Sequence, residues 1–286
     1  MSGDFRGPGL ARRHVRRAAV VATGLVLVAL PGGGRGAPGP APAAEAPGET
    51  RDALETAAAQ RAALRGLADP AARAHARSRA VSEYRRARLA LAERPELAAE
   101  AAFRAGELSR AGGDAEGAAM EFAVAAELDR RGVFGFRATL ELGHLARRAG
   151  DAEEALERYE QVLFESAEPR LRDQAAWWRA RVLAHSGRTP QARGIWLRLA
   201  ARAENPLLRV RAWERLVRER LAAGEPRDAA ETYAKSLTDL TSILDEHSVL
   251  GERVRRAMQR VSEALESSRG PHPSVAGPEF FTDNPP

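Results

Sequence analysis

Histidine is the residue type in this sequence best suited to catalysis or metal binding. No two histidines lie four residues apart with a carboxylate between them, which is the spacing of a zinc-protease helix. Cysteine is absent, which excludes disulfides, thiolate metal ligands and cysteine nucleophiles. The sequence therefore predicts no metal site and no cofactor. The six histidines are His14, His75, His144, His185, His247 and His272.

Motifs that would indicate an enzyme are also missing. There is no phosphate-binding P-loop, no G-x-S-x-G turn and no H-E-x-x-H segment. The triplet Gly32-Gly33-Gly34 lies in a Pro/Gly-rich leader and not between a strand and a helix. Acidic pairs such as Glu153-Glu154 fit capping and solvation of an outer helix face. We expect the protein not to be an enzyme.

The net charge of +5 and the pI near 10.4 suggest an acidic partner until the charges are located along the chain. Residues 1–46 carry six of the 44 basic residues and two of the 39 acidic ones. Residues 47–286 therefore carry 38 basic and 37 acidic residues and are almost neutral. This balance gives no support to nucleic-acid binding.

The first 46 residues have the order of a secretory signal peptide. Basic residues up to Arg17 precede the uncharged apolar run Ala18–Leu30, and Ala44-Glu45-Ala46 offers a cleavage site. Arg12-Arg13 also resembles a twin-arginine export signal. The apolar run is short for a span, which needs ~20 residues. We expect export to the periplasm or cell envelope, with an uncleaved inner-membrane anchor facing the periplasm as the alternative and no other membrane contact.

The elements that would position any site repeat every 37 residues. Four glycines keep this spacing, and each is followed by an alanine at plus five and an aromatic residue at plus nine. A fixed period of this size is typical of stacked repeats. The glycines are Gly113, Gly150, Gly187 and Gly224; the alanines are Ala118, Ala155, Ala192 and Ala229; the aromatics are Phe122, Tyr159, Trp196 and Tyr233.

Each glycine is predicted to be the turn between two helices. First helices are predicted over 95–111, 133–149, 169–186 and 206–222, and second helices over 114–129, 151–166, 189–203 and 226–244. Asp114, Asp151 and Thr189 stand where a helix N-cap oxygen is wanted. The predicted organisation is leader 1–46, degenerate leading helix pair 47–94, four repeats 95–244, capping helix 245–268 and disordered tail 269–286. The fold class is an all-α solenoid of about 11 helices.

These residues resemble the tetratricopeptide repeat (TPR) family. The family pattern has a small residue in the first helix, found here at Gly106, Gly143 and Ala180. The fourth repeat departs from this pattern, because it has Val217 at the equivalent position. It continues with Gly-Asp or a similar turn, then alanine and an aromatic residue. The usual family period is 34 residues, so each repeat here is three residues longer. The resemblance implies stacked helix pairs that bind partner proteins without catalysis.

The same resemblance implies that the first helices line a concave surface. Arginine dominates the positions that would face it, and arginine binds carboxylates in a bidentate way. We expect another protein or peptide, of acidic character, as the partner. An ordinary solvated arginine face is the alternative interpretation. The predicted partner-binding residues are Phe103, Glu107, Arg110, Arg137, Leu140, His144, Arg147, Arg148, Trp177, Arg181, His185, Arg211 and Arg218.

Three functions remain open at this point. The first is a protein-binding scaffold of the bacterial cell envelope. The second is an accessory subunit that positions a separate catalytic chain. The third is an architectural homo-oligomer. His144 and His185 fall in adjacent repeats on the expected groove, but two ligands are too few for a zinc site.

Overall fold

A computed structural model describes residues 47–244 and 249–267. The predicted leader, 1–46, and the predicted tail, 269–286, lie outside the described residues. In the described ranges the chain forms eleven α-helices and one short 3-10 helix, with no strand. The helices are α1 (Pro47–Ala63), α2 (Pro70–Ala90), α3 (Pro95–Ala111), α4 (Ala115–Leu128), α5 (Val133–Ala149), α6 (Ala152–Glu165), α7 (Pro169–His185), α8 (Thr189–Arg202), α9 (Pro206–Ala222), α10 (Pro226–Leu244) and α11 (Val249–Ser267), and the 3-10 helix is Leu64–Gly66.

The helices form an α-solenoid of stacked pairs. Each helix packs against the next in the chain, and the first helices α3, α5, α7 and α9 also contact one another in series. The predicted all-α solenoid is confirmed. The first-helix bounds agree with the prediction except that α7 ends at His185, one residue early. In the leading pair, the first helix ends at Ala63 and continues as the 3-10 turn.

The four period-setting glycines are the turns within the helix pairs. Their φ angles are +84°, +84°, +76° and +74°, and no other described residue has positive φ. In each turn the amide after the glycine bonds back to a carbonyl five residues earlier, as Asp151 does to Ala146 at 2.9 Å. This left-handed conformation is accessible to glycine without a side-chain clash.

Helix capping follows the prediction at two turns and differs at the third. Asp114 accepts a hydrogen bond from the Gly117 amide at 2.8 Å, and Asp151 accepts one from Glu154 at 3.0 Å. The predicted cap at Thr189 is wrong, because Thr189 is already the first residue of α8. The residue before it, Arg188, is the N-cap and makes no side-chain capping bond.

A glycine of the first helix meets the aromatic ring of the second in two of the repeats. A Cβ on Gly143 would lie 2.7 Å from Tyr159 Cε1, and one on Gly106 would lie 2.7 Å from Phe122 Cδ1. Phe122 and Tyr159 are fully buried, and so are the four alanines of the period. The small residue therefore admits the ring of its own pair, and this sets how closely the two helices approach.

The two ends of the array are closed differently. At the N-terminal end the buried Glu121 of α4 accepts hydrogen bonds from Arg85 at 2.6 Å and Arg88 at 2.9 Å, which ties α2 to the first repeat. At the other end α11 packs on α9 and α10. The apolar stripe of α11 that faces them is buried, as its spacing predicts, and comprises Val254, Met258, Val261 and Leu265. Among the described helices, none is both long and apolar enough to cross a membrane.

We expect Gly143→Ala to lower the free energy of unfolding by about 1–3 kcal/mol, because the added methyl group forces the locked Tyr159 ring to move. The matched control is Gly194→Ala in α8. A Cβ on Gly194 would have only the Arg198 guanidinium at 4.0 Å, so this change should stabilise by about 0.5–1 kcal/mol. Urea unfolding followed by circular dichroism measures both. Equal stabilisation by the two variants would contradict the assigned contact.

Candidate binding surface on the first helices

Charge is unequally divided between the two helices of each pair. The first helices α3, α5, α7 and α9 carry 14 arginines and seven acidic residues. The second helices α4, α6, α8 and α10 carry six basic and eleven acidic residues. The residues 47–286 are near neutral as a whole, but the first helices α5, α7 and α9 are net basic and the second helices α4 and α6 are net acidic. We call the outward surface of α3, α5, α7 and α9 the first-helix face.

The predicted partner-binding residues divide into three groups by exposure. Glu107, Arg110, Arg147, Arg181 and Arg211 are half-buried. The exposed group is Arg137, Arg148, His185 and Arg218. The structure places the remaining four in the core and not on the surface: Phe103, Leu140, His144 and Trp177.

The four core residues have a common physical reason for their burial. A first helix packs on its own second helix and also on the first helices before and after it. Its apolar side chains are buried in these contacts, and its charged side chains face outward. Phe103, for example, packs against Phe122 and Phe134, with ring centroids 5.5 and 5.8 Å apart. These residues therefore offer no side-chain surface to a partner in this conformation.

The structure brings α5 and α7 together around a tryptophan that sequence reasoning missed. Trp178 is 6% exposed and receives the guanidinium groups of Arg147 and Arg181 over its ring, at 4.8 and 4.6 Å. The His144 ring meets it edge-on at 4.8 Å. We name His144, Arg147, Trp178 and Arg181 the Trp178 cluster. Cation–π stacking of this kind holds each guanidinium in a fixed plane.

Within the cluster, His144 forms a buried pair of neutral polar groups with Tyr159. His144 Nδ1 and the Tyr159 hydroxyl are 2.7 Å apart, and Arg147 also donates to that hydroxyl. Burial, followed by the positive field of Arg147 and its neighbours, lowers the pKa of His144 from 6.5 to about 3. Burial also raises the pKa of Tyr159. Both groups are therefore uncharged at neutral pH, and the charge at this site comes from arginine.

The positive charge of the first-helix face lies on α5, α7 and α9, whereas α3 carries two arginines and three acidic residues. Helices α5 and α7 carry seven arginines and two acidic residues. Burial and the nearby Arg110 and Arg147 lower the pKa of Arg148, although Glu141 acts against them. Glu141 itself pairs with Arg110 at 3.4 Å, and burial raises its pKa.

Ion pairs with acidic residues occur on α3 and on α9. On α3, Glu107 lies 3.1 Å from Arg61 and 3.1 Å from Arg104. On α9, Arg218 lies 2.8 Å from Glu214. The predicted residues Glu107 and Arg218 thus belong to local ion pairs, and the predicted residues Arg147 and Arg181 lie over the Trp178 ring.

Metal binding has no structural counterpart in the described residues. No three of their His, Asp and Glu side chains lie close enough together to hold an ion. His144 is bonded to Tyr159, and His185 is exposed at the end of α7. The two histidines singled out from the sequence therefore occupy different environments.

No family model matches the chain, and no curated protein matches it. Solved structures with similar helical architecture include a kinesin light chain with nearly identical TPR-like repeats from Podosopora anserina, at 18% identity and a TM-score of 0.49, covering 71% of this chain and 100% of that one. PilW, a type IV pilus biogenesis factor, has 17% identity, a TM-score of 0.47 and coverage of 78% and 92%. BtubC from P. vanneervenii has 14% identity, a TM-score of 0.42 and coverage of 82% and 97%.

At these values the likeness is one of helical architecture, and it carries nothing about function. The solenoid assignment rests on the helix pairs, the positive-φ glycines and the glycine–aromatic contacts of this chain. The chemistry of its surface has to be argued from the arginines of α5 and α7.

The His144 environment predicts a measurable dependence of stability on pH. The folded pKa lies below the unfolded one, so only the unfolded state binds a proton at this histidine between about pH 6.5 and 3. Stability is therefore lost as the pH falls through this window. Between pH 7 and pH 5 the loss from this group should be about 2 kcal/mol. His144→Gln should remove that part of the slope.

Denaturant unfolding at pH 7, 6 and 5 measures the effect, with His75→Gln as the control because His75 is exposed. The control should keep the wild-type slope. Identical slopes for wild type and His144→Gln would show that His144 is not held neutral in the fold.

Proposed function

We propose that this protein is a non-enzymatic protein-interaction scaffold whose first-helix face binds an acidic segment of a partner protein. The main observation behind this proposal is the unequal distribution of charge between the two helices of each pair. The first helices carry 14 arginines and seven acidic residues, and the second helices carry six basic and eleven acidic residues. An excess of arginine on the first helices favours a partner segment that carries carboxylates.

The proposal places the scaffold in the periplasm or cell envelope of a bacterium. Its support is the order of basic, apolar and small residues in 1–46, where the apolar run is Ala18–Leu30. Retention of that segment as an anchor would leave the array facing the periplasm. Either form leaves the first-helix face available to an envelope protein.

The homo-oligomer is a second candidate, and the C-terminal end of the array argues against end-to-end stacking. The outward positions of α11 are charged or polar and exposed, and they include Glu252, Arg253, Arg256 and Arg260. Such a surface closes a repeat array instead of extending it. An accessory subunit for a catalytic chain would use the same first-helix face, so the partner's identity alone separates it from a scaffold.

Photocrosslinking tests the proposed face. p-Benzoylphenylalanine in place of Arg137 or His185 samples the first-helix face, and in place of Glu157 or Arg198 it samples exposed positions of the second helices. We expect an adduct of defined mass from the first pair and none from the second. Charge reversal by Arg147→Glu with Arg181→Glu should reduce that adduct by about ten-fold or more.

The other outcomes of the crosslinking experiment would contradict or replace the proposal. Adducts from the second-helix positions alone would contradict the proposed face. An adduct of twice the chain mass that contains only this protein would establish the homo-oligomer. Adducts unchanged by the charge reversal would show that arginine does not contribute to recognition.

A further inference from the structure

We infer that Arg211 and Arg215 of α9 form a carboxylate-binding site that takes Asp or Glu side chains of an acidic protein segment. The inference rests on the proposed function and deepens it, because it assigns recognition to one pair of residues on the first-helix face. We call these two residues the α9 arginine pair. The pair differs from the other arginines of the first helices in its hydrogen bonding, its burial and the core beneath it.

Three of the five arginines of α9 have an acceptor, and the α9 arginine pair has none. Within the part of the chain that the structure describes, neither Arg211 nor Arg215 has a hydrogen-bond acceptor or an ion-pair partner. The N–H groups of both guanidinium ions therefore remain for a ligand. The three arginines that have acceptors are Arg209 with the Ala200 carbonyl at 3.1 Å, Arg218 with Glu214 at 2.8 Å and Arg220 with Glu225 at 2.5 Å.

Both members of the pair are half-buried, so water solvates them less well than it solvates an exposed arginine. Arg215 lies over the Trp196 ring, 5.9 Å from its centroid. Burial lowers the pKa of Arg215, and Arg218 lowers it further, whereas Glu214 raises it. A partly buried charge is costly unless it is paired. A ligand carboxylate would supply the missing partner.

The spacing of the pair places two planar donors on one side of α9. Residues four apart on a helix are neighbours, and like charges at this spacing repel each other. An arginine whose guanidinium lies over an aromatic ring has restricted rotation, so Arg215 loses less entropy on binding than a mobile arginine would. Each fork can accept a carboxylate in a bidentate way, which also relieves the repulsion between the two cations.

The core beneath Arg215 is short of hydrogen-bond acceptors. In the preceding repeat, the Tyr159 hydroxyl and His144 Nδ1 are paired at 2.7 Å. The equivalent residues 37 positions later are Trp196 and Arg181, whose side chains contain donors only. Trp196 is 3% exposed, and among the described residues its indole N–H has no acceptor. The replacement of a tyrosine by a tryptophan therefore leaves no group in this part of the core that could neutralise Arg215.

Pairing, and not net charge, distinguishes α9 from α7. Both helices have three more arginines than acidic residues. On α7, however, the charged groups outside the Trp178 cluster have partners in the array. These contacts are Arg170 with Glu204 at 3.9 Å, Arg172 with the Ser166 carbonyl at 3.0 Å and Arg179 with Glu160 at 3.5 Å.

The surroundings of the pair favour a protein carboxylate over a nucleic acid. A polyanion needs a continuous basic track. Glu214 and Glu219 lie on the same helix and are paired with Arg218 and Arg193, so acidic residues interrupt the basic surface on α9. Two guanidinium groups one helical turn apart suit one or two side-chain carboxylates, whereas a phosphate backbone would meet these acids.

The experiment uses the full chain and a fluorescein-labelled 12-residue peptide of alternating glutamate and glycine, with the glutamine–glycine peptide as the uncharged counterpart. Fluorescence anisotropy at about 150 mM salt measures binding. We expect the glutamate peptide alone to bind. Arg211→Gln with Arg215→Gln should weaken its binding by about ten-fold or more.

The matched control is Arg198→Gln with Arg202→Gln on α8. These two arginines have the same spacing of four residues, but both are exposed. The control removes the same charge and should change the affinity less than about two-fold.

Two single variants separate the planar donors from bulk charge and from folding. Arg215→Lys keeps the charge but loses the planar fork, so the affinity should fall about three-fold or more. Arg211→Gln breaks no hydrogen bond or ion pair, so it should weaken binding about three-fold or more while the melting temperature stays that of wild type. Its single-site control is Arg198→Gln, which should leave the affinity unchanged.

Several results would overturn the site. Equal losses from the two double glutamine variants would reduce it to overall charge. Full affinity in Arg215→Lys would remove the role of the guanidinium over Trp196. Stronger competition by a single-stranded DNA oligonucleotide than by unlabelled glutamate peptide would indicate a nucleic-acid surface.

The site and the proposed function can fail separately. If the glutamate peptide does not bind while first-helix photocrosslinks persist, the site is wrong and the proposed function stands. If the peptide binds with the expected losses while the first-helix positions give no photocrosslink, the site stands and the proposed function is wrong.

Discussion

The close approach of the two helices in a repeat, permitted by a missing side chain, is the contact on which the other features depend. At Gly143 a single methyl group would come within 2.7 Å of the Tyr159 ring, and the same holds for Gly106 and Phe122. The ring buries its area against backbone, at a distance that no other residue type allows. This contact fixes the separation of the helices in these two pairs, and the 37-residue period of the turn glycines, alanines and aromatic residues repeats the pairs along the array.

The same contact links the core to the surface. Tyr159 fills the space at Gly143 with its ring and directs its hydroxyl to His144, whose ring lies against Trp178. Trp178 then carries the guanidinium groups of Arg147 and Arg181. A displacement of the buried tyrosine would be transmitted through two aromatic contacts to the outermost charges. In this part of the array, the packing of the core therefore reaches the arginines at the surface.

Sequence periodicity predicted the fold but only part of the surface. The turn glycines, the buried alanines and the apolar stripe of α11 follow from spacing because each depends on local backbone or on one helix face. The burial of Phe103, Leu140, His144 and Trp177 depends instead on how far each repeat is rotated against the next, which no single period encodes. Trp178 was missed for this reason, although its i, i+3 spacing from Arg181 was a usable signal.

The unequal division of charge gives a near-neutral array several net basic helices, α5, α7 and α9. A uniformly basic surface attracts any polyanion, whereas the first helices of this chain also contain acidic residues, in ion pairs such as Arg104–Glu107 and Arg218–Glu214. Those pairs are half-exposed and contribute little stability individually. Their larger effect is on the field at the surface, because each paired acid offsets one arginine. The net positive charge that remains on α5, α7 and α9 is the feature on which the proposed preference for an acidic partner segment rests.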